Sequence, residues 1–264
     1  MRFDIDSHYG LTKKIYPLLR LLHKHHIKAT FFCVMGYDPT ISEIVKLRFM
    51  APRPKKAIQT KQKRLLFSFR NLPKILHTLS YPRNVGCAHH DLLKTISDAG
   101  HEVYPHGWSH IQWQRNIEHI NVRKHLELCI EEHQKIFGSA PIGFGSPGRI
   151  YNESALALFD EYDFLFVGDM DGDKPFKYQN YKAMQIPVTL FKTISELVED
   201  GLDSGEIVDK YFNHIVENEF SNIYEHPDNL HTFELNILDQ LFTRLATIGI
   251  SSFTFSEIYK QYSH

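Results

Sequence analysis

The chain has 264 residues, of which 42% are apolar and 23% are charged, and its formal net charge is -1. These proportions exclude global disorder, and the length suits one large α/β domain over residues 1–264 better than two small ones. No apolar run approaches the roughly 18 to 20 residues of a membrane span, and an odd number of cysteines does not suit a disulfide scaffold. With no signal peptide ahead of the first motif, we expect a cytoplasmic protein.

Strand-like runs alternate with helical patterns along the chain. The expected strands are 2–6, 29–34, 102–105, 142–146, 164–167, 185–190, 222–225 and 251–255. Four apolar stripes at helical spacing lie between them, around Leu18, Leu126, Tyr211 and Leu241. Because this alternation is typical of a parallel sheet covered by helices, about eight strands predict a barrel or near barrel.

The charge is distributed unevenly. Residues 44–90 hold 11 Lys or Arg and no Asp or Glu, whereas the rest of the chain holds 19 Lys or Arg and 31 Asp or Glu. In an insertion at about 44–84, Leu65, Phe69 and Leu72 recur at helical spacing beside basic residues, although Pro73 must kink or divide any helix. We expect this amphipathic insertion to bind an anionic membrane surface; a solvated surface segment is the alternative. Nucleic acid is not expected as a partner, because the acidic remainder would repel it.

Polar residues follow several predicted strands at the point where each strand ends. Four pairs do so: Asp4 and Asp6, His106 and His110, Asp169 and Asp171, and His226 and Asp228. Each pair alone has a structural explanation, such as a turn, a helix cap or a buried histidine. Because the carboxyl ends of parallel strands meet at one edge, their joint placement favours a common site.

A metal site is predicted within this group. His106 and His110, four residues apart, would lie on one face of a helical turn, and Asp4 or Asp6 would add a carboxylate from another strand. Such a set leaves coordination positions open, which is typical of a catalytic site. Both aspartates would face the same pocket, because residues two apart on a strand point to the same side. One Zn²⁺ ion is expected, although Ni²⁺, Co²⁺, Mn²⁺ or Fe²⁺ would suit the same ligands.

Four stretches carry a family resemblance: RFDIDS, HEVYPHGWSHIQWQ, MQIPVTL and IYEHPD. They resemble the polysaccharide deacetylase superfamily, or NodB homology domain, especially the branch that deacylates undecaprenyl-phosphate-linked amino sugars for lipid A modification. The resemblance implies a distorted, incomplete (β/α) barrel of about seven to eight strands. It also implies a metal-dependent amide hydrolase, and we expect the acyl group that it removes to be acetyl rather than formyl. The enzyme is expected to act peripherally at the inner face of the cytoplasmic membrane.

The resemblance also assigns roles. Asp4 matches the general base, His226 the general acid, and Asp6, His106 and His110 the metal ligands. Where the family has Arg-x-Pro-x-Gly, residues 145–149 read Gly-Ser-Pro-Gly-Arg, so Arg149 is a candidate to replace the arginine that steadies the base. Arg149, Asp169 and Asp228 are expected to bind substrate.

Other functions stay open at this point. The first alternative is a deformylase of 4-deoxy-4-formamido-arabinose-phosphoundecaprenol, and the second is a non-catalytic sugar or lipid binder, suggested by the irregular third motif. A non-haem iron oxygenase would use the same two histidines and carboxylate but would leave Asp4 and His226 without roles. A deacetylase of a soluble polymer is disfavoured by the basic insertion. The oligomeric state is not predicted.

Overall fold

Eight short strands form the sheet framework of the computed structural model, which describes residues 1–37 and 84–263. In chain order they are β1 (Arg2–Ile5), β2 (Thr30–Cys33), β3 (Glu102–Pro105), β4 (Gly143–Phe144), β5 (Phe166–Val167), β6 (Phe176–Lys177), β7 (Met184–Gln185) and β8 (Tyr224–Glu225). One sheet has the order β3-β2-β1-β8 and is parallel throughout. The other has the order β4-β5-β7-β6, and in it only β6 is antiparallel to its neighbour.

The two sheets contact each other on two sides. On one side the Gly145 N–H, just after β4, donates to the Pro105 carbonyl of β3 at 3.1 Å. On the other side Leu190 pairs with Ile223, next to β8, in an isolated parallel bridge. Because these junctions consist of a few isolated contacts and not of continuous ladders, the described residues form an incomplete, distorted barrel. This confirms the predicted fold class.

Helices cover the outside of this framework. Those in the described residues are α1 (Ile15–Lys24), α2 (His90–Asp98), α3 (His110–Asn116), α4 (Val122–Phe137), α5 (Glu153–Glu161), α6 (Ile194–Glu199), α7 (Ser204–Glu217), α8 (Thr232–Thr247) and α9 (Phe255–Tyr262). The four predicted apolar stripes all become helices, α1, α4, α7 and α8, and their apolar sides are buried. Side-chain caps fix several helix starts; for example, Thr193 and Glu196 form a capping box at α6.

The sequence predictions differ from the structure at two places. The run 251–255, predicted as a strand, leads into α9, because Thr254 and Glu257 form a capping box that satisfies the first N–H groups of that helix. The two-residue strand β6 was missed, since it carries no alternating pattern long enough to detect.

The basic insertion predicted at about 44–84 lies outside the described residues, apart from Asn84 at its end. Asn84 forms an isolated antiparallel bridge with Tyr37, so the two ends of the undescribed segment lie side by side after β2. Within the described residues, none of the helices is long and apolar enough to cross a membrane.

A buried carboxyl group lies beneath the α6 and α7 helices. Glu225 of β8 is fully buried, and its Oε1 accepts hydrogen bonds from the Ile194 N–H at 2.8 Å and the Tyr211 hydroxyl at 2.7 Å. Its Oε2 has no hydrogen-bond partner in the described residues. Burial raises the pKa of Glu225 to about 8, so the folded protein holds this carboxyl protonated at neutral pH.

We expect this group to make the free energy of unfolding depend on pH. Because the folded pKa is raised above the unfolded value, stability falls as pH rises from about 4.5 to about 8, with a slope of at most about 1.4 kcal/mol per pH unit. Glu225→Gln keeps the size of the side chain and removes the titration. Urea unfolding of both proteins at pH 5, 6, 7 and 8 checks this. The stability of wild type relative to Glu225→Gln should fall with pH, and a constant difference would contradict the assignment.

Candidate functional site

The central parallel strand brings two acidic side chains to one end of the barrel. β1 lies between β2 and β8, and Asp4 and Asp6 come at and just beyond its carboxyl end. Asp4 is 4% exposed, whereas the Asp6 side chain is 22% exposed. Both reach the same group of histidines, as the strand alternation predicted.

The two motif histidines converge by a turn and not by a helix. His106 directly follows β3, Gly107 adopts a left-handed backbone with φ of 78°, and Ser109 is extended before α3 begins at His110. The prediction that both rings lie on one helical turn is therefore wrong. Their ring centroids are nevertheless 5.3 Å apart, because the chain reverses at Gly107, where a side chain would strain the backbone.

Three imidazoles surround the Asp6 carboxylate. The Nε2 atom of His106 is 3.3 Å from Oδ1, while those of His110 and His226 are 3.6 Å and 3.5 Å from Oδ2. One ligand atom each from Asp6, His106 and His110 lie within 4.8 Å of one another, so these residues could hold one ion. The structure thus brings together the three predicted metal ligands and the predicted general acid.

The hydrogen bonding of these ligands suits a cation. The His106 Nδ1–H donates to the Gly145 carbonyl at 2.7 Å, so Nε2 is the ring nitrogen that faces Asp6 and that could bind an ion once deprotonated. Asp6 Oδ1 is buried and makes no hydrogen bond within the described residues, so it is an acceptor that lacks a donor. Two imidazole nitrogens and one carboxylate oxygen form the ligand set of open, catalytic zinc sites.

The electrostatics of the site also favour a bound cation. Burial opposes ionisation of Asp6, but His110 and His226 outweigh it, so the pKa of Asp6 lies well below its usual value. Burial lowers the pKa of His110 to about 4. Burial also acts to lower the pKa of His106, but the Asp4 and Asp6 carboxylates outweigh it and raise that pKa. Protons should therefore compete with a metal ion for His106, so we expect the affinity for the ion to fall as the pH is lowered.

We expect the protein to bind one Zn²⁺ per chain. His110→Ala should weaken the Zn²⁺ affinity by at least about 100-fold, because even residues that only hydrogen-bond to metal ligands change metal affinity by about 10- to 100-fold. Isothermal titration with ZnCl₂ at pH 6, 7 and 8 measures this, and the wild-type affinity should rise with pH. His119→Ala, at an exposed histidine of the same chain, is the matched control. Equal affinities for the two variants would rule out the proposed ligand set.

Asp4 is held by a buried arginine. Arg2, fully buried, donates from Nε to Asp4 Oδ1 at 2.6 Å and from Nη2 to Oδ2 at 2.9 Å. Its Nη1 donates to the Gly168 carbonyl, and its guanidinium lies over the Phe32 ring at 4.6 Å. Burial alone would raise the pKa of Asp4, but Arg2 outweighs burial and lowers it. The predicted general base is therefore ionised and fixed in orientation.

Two glycines make room for this guanidinium. A Cβ atom at Gly168 would come 2.5 Å from Arg2 Nη1, and one at Gly145 would come 3.1 Å from Nη2. Gly145 is the position where the family motif carries its arginine. The prediction that Arg149 steadies the base is wrong, because Arg149 donates to Asp171 at 2.7 Å while Arg2 holds Asp4.

Arg2 was missed in the sequence analysis, although a signal was present. It lies two residues before Asp4 on a strand, so the two side chains point to the same side of the sheet. An arginine in a buried strand also requires a charged partner, because isolated charges are rarely buried.

We expect Arg2→Met to lower the free energy of unfolding by about 3 to 5 kcal/mol, because it leaves the Asp4 carboxylate buried without its cation. Asp4→Asn should recover part of that loss when added to Arg2→Met. Urea unfolding of the two single variants and the double variant gives the coupling energy between the residues. Additive effects would contradict a direct dependence of Asp4 on Arg2.

The predicted substrate-binding aspartates are buried. Asp169 is 2% exposed, and its two oxygens accept from the Ser146 N–H and hydroxyl, each at 2.6 Å. Burial raises the pKa of Asp169 to about 6. Asp228 is 1% exposed and accepts from the Ser7 hydroxyl at 2.7 Å. The expectation that these two carboxylates face substrate is not met: Asp169 holds the Ser146 loop, and Asp228 holds the turn after β1.

Several known proteins resemble this chain in sequence. The family model for polysaccharide deacetylase matches residues 2–167. A protein of Shewanella sediminis, named as the 4-deoxy-4-formamido-L-arabinose-phosphoundecaprenol deformylase ArnD, is 28% identical over 211 residues, which are 77% of this chain and 66% of that protein. A protein of Wigglesworthia glossinidia brevipalpis with the same name is 29% identical over 69% of this chain and 64% of that protein. The chain thus spans slightly less than two thirds of the length of these relatives.

The fold is also found among solved structures. A crystal structure from Mycobacterium smegmatis, described as a polysaccharide deacetylase, superposes with a TM-score of 0.65 at 15% identity and covers 99% of this chain and 88% of that one. At this identity the likeness concerns the fold alone. His226 lies beyond the residues matched by the family model, so its place in the site rests on its 3.5 Å distance from Asp6.

Proposed function

The chain belongs to the polysaccharide deacetylase family, and we propose that it is a metal-dependent hydrolase that removes an N-acyl group from a polyprenyl-phosphate-linked amino sugar. One observation carries the proposal: Asp4, His226 and the three candidate metal ligands converge in one pocket. Amide hydrolysis needs a base, an acid and an electrophile, and each has a candidate there.

The relatives named as deformylases make the formyl amide the first substrate to test, with the acetyl amide second. The sequence analysis favoured acetyl. The loop at Asp169 does not decide between the two acyl groups, because Asp169 binds Ser146 and is only 2% exposed. The proposal covers two classes of sugar, an N-acylated aminopentose and an N-acylated aminohexose.

Asp6, His106 and His110 would hold the cation. A divalent ion in such a site polarises the acyl oxygen and lowers the pKa of a water from 15.7 toward about 7. Asp4 would accept the proton from that water. Arg2 fixes the position of the Asp4 carboxylate through one hydrogen bond to each of its oxygens. Because Arg2 lowers the pKa of Asp4, this carboxylate stays ionised and ready to accept a proton at neutral pH.

We assign to His226 the role of donating a proton to the departing amine. Its Nε2 is 3.5 Å from Asp6 Oδ2, and its ring packs edge-on against Tyr224 with centroids 5.4 Å apart. The histidine side chain is 25% exposed, so it can reach a substrate at the mouth of the pocket. General acid catalysis of this kind contributes about 100- to 10,000-fold.

The reason for considering a non-catalytic sugar or lipid binder no longer applies. That alternative was suggested by the irregular third motif, but Arg2 provides the guanidinium contact to Asp4 from β1 instead. Binding of residues 44–84 to an anionic membrane surface stays part of the proposal, because a polyprenyl chain resides in the membrane. Peripheral action at the inner face of the cytoplasmic membrane follows from the same reasoning.

The test is release of formate or acetate from the corresponding undecaprenyl-phosphate-linked N-acyl sugars. We expect Asp4→Asn and His226→Asn each to lower kcat by at least about 100-fold. Removal of metal by a chelator should abolish turnover, and added Zn²⁺ should restore it. His119→Asn, at an exposed histidine, is the matched control and should retain wild-type turnover.

Release of acyl group at wild-type rate by Asp4→Asn would contradict the assignment of the base. Absence of release by the zinc-loaded wild type from both the formyl and the acetyl donor would contradict the proposed substrate.

A further inference from the structure

An arginine at the rim of the pocket has no role in the reaction derived above. Arg149 follows Gly148, and both adopt left-handed backbones, with φ of 56° and 63° respectively. A left-handed conformation strains a non-glycine residue, and such residues cluster at functional sites. The strained turn directs attention to what the Arg149 side chain contacts.

The Arg149 guanidinium is held loosely. It lies over the Phe191 ring at 4.9 Å, and its Nη1 donates to Asp171 at 2.7 Å. Asp171 is 76% exposed at its side chain, so this ion pair is weak and replaceable. Within the described residues no hydrogen bond engages Nε or Nη2 of Arg149. The forked donor pair that fits phosphate oxygens is therefore available.

A series of contacts connects this guanidinium with the predicted general acid. The Phe191 carbonyl accepts a hydrogen bond from the Tyr224 hydroxyl at 3.2 Å, and the Tyr224 ring packs on His226. Burial raises the pKa of the Tyr224 phenol, and the nearby positive charge of Arg149 opposes that rise. Arg149 and Phe191 thus lie on the His226 side of the pocket.

That side must hold the sugar. His226 protonates the amine, and the amine is attached to the sugar, whereas the acyl group lies toward the metal ligands. A phosphate on the sugar therefore extends toward the rim beyond His226. We propose that Arg149, positioned on Phe191, binds the phosphodiester that links the sugar to its lipid, displacing Asp171. This inference rests on the proposed function, since it names the residue that recognises one part of that substrate.

An arginine that stacks on an aromatic ring and pairs with a carboxylate, as Arg149 does with Phe191 and Asp171, can also have a purely structural role. Arg244 forms the same kind of group on α7 and α8, where it pairs with Asp209 and lies over the Phe212 ring at 3.7 Å. Arg244, however, is part of a regular helix, and its ring and carboxylate partners are on helix α7. Arg244 therefore provides a control matched in chemistry but distant from the pocket.

The experiment uses two substrates: an N-formyl amino sugar joined through a phosphodiester to a short prenyl chain, and the methyl glycoside of the same sugar. We expect Arg149→Gln to raise KM for the phosphodiester by about 10- to 100-fold, the loss implied by a hydrogen bond to a charged group, and to leave the methyl glycoside kinetics unchanged. Arg149→Lys should give a smaller rise. Asp171→Asn should lower KM for the phosphodiester or leave it unchanged, and Arg244→Gln should match wild type.

Equal changes for both substrates, or no change for either, would overturn the inference while leaving the proposed function intact. If the wild type hydrolyses neither substrate, the proposed function fails, and direct binding then decides on Arg149. Calorimetric titration with methyl geranyl phosphate, a sugar-free phosphodiester, should show binding to wild type and Arg244→Gln and at least a 10-fold loss for Arg149→Gln. Equal binding to all three proteins, or no binding to wild type, would overturn the assignment.

Discussion

The buried pair of Arg2 and Asp4 is the interaction on which the rest of the site depends. Both residues lie on β1, an inner strand of the first sheet, and the fully buried guanidinium reaches across to the Gly168 carbonyl after β5 of the second sheet. Removing one partner of such a pair costs about 3 to 5 kcal/mol, so the strand cannot carry the carboxylate without the cation. Gly145 and Gly168 are required for the same reason, because side chains there would occupy the space of the guanidinium. Because Arg2 makes these contacts, residues 145–149 need no arginine at position 145 to hold Asp4.

The same pair determines what chemistry the pocket can perform. Arg2 lowers the pKa of Asp4, which makes this carboxylate a weak base. A weak base cannot by itself deprotonate a water of pKa 15.7 at neutral pH, so the proposed reaction would need a cation that acidifies the water. Asp6, His106 and His110 lie beside Asp4 and could supply the ligands for that cation, and one buried Asp6 oxygen makes no hydrogen bond within the described residues.

Much of the fold and site could be predicted from the sequence, because these features follow from local pattern. Seven of the eight strands in the described residues overlap strand-like runs predicted from the sequence, and the strand alternation predicted that Asp4 and Asp6 face one side. What failed depended on contacts between distant segments or on backbone turns. Burial of Asp169 requires Ser146, 23 residues away, and the approach of His106 to His110 requires the turn at Gly107. No periodicity encodes either feature.

The central claim is that Asp6, His106 and His110 bind a divalent cation next to an Asp4 held by Arg2. Anomalous diffraction from crystals of the protein soaked in ZnCl₂, recorded at the zinc edge, tests it most directly. The account predicts one ion at about 2.0 to 2.2 Å from a carboxylate oxygen of Asp6 and from Nε2 of both histidines, with Asp4 still paired to Arg2. An ion bound by Asp4 in place of Asp6, or no ion in this pocket, would contradict it.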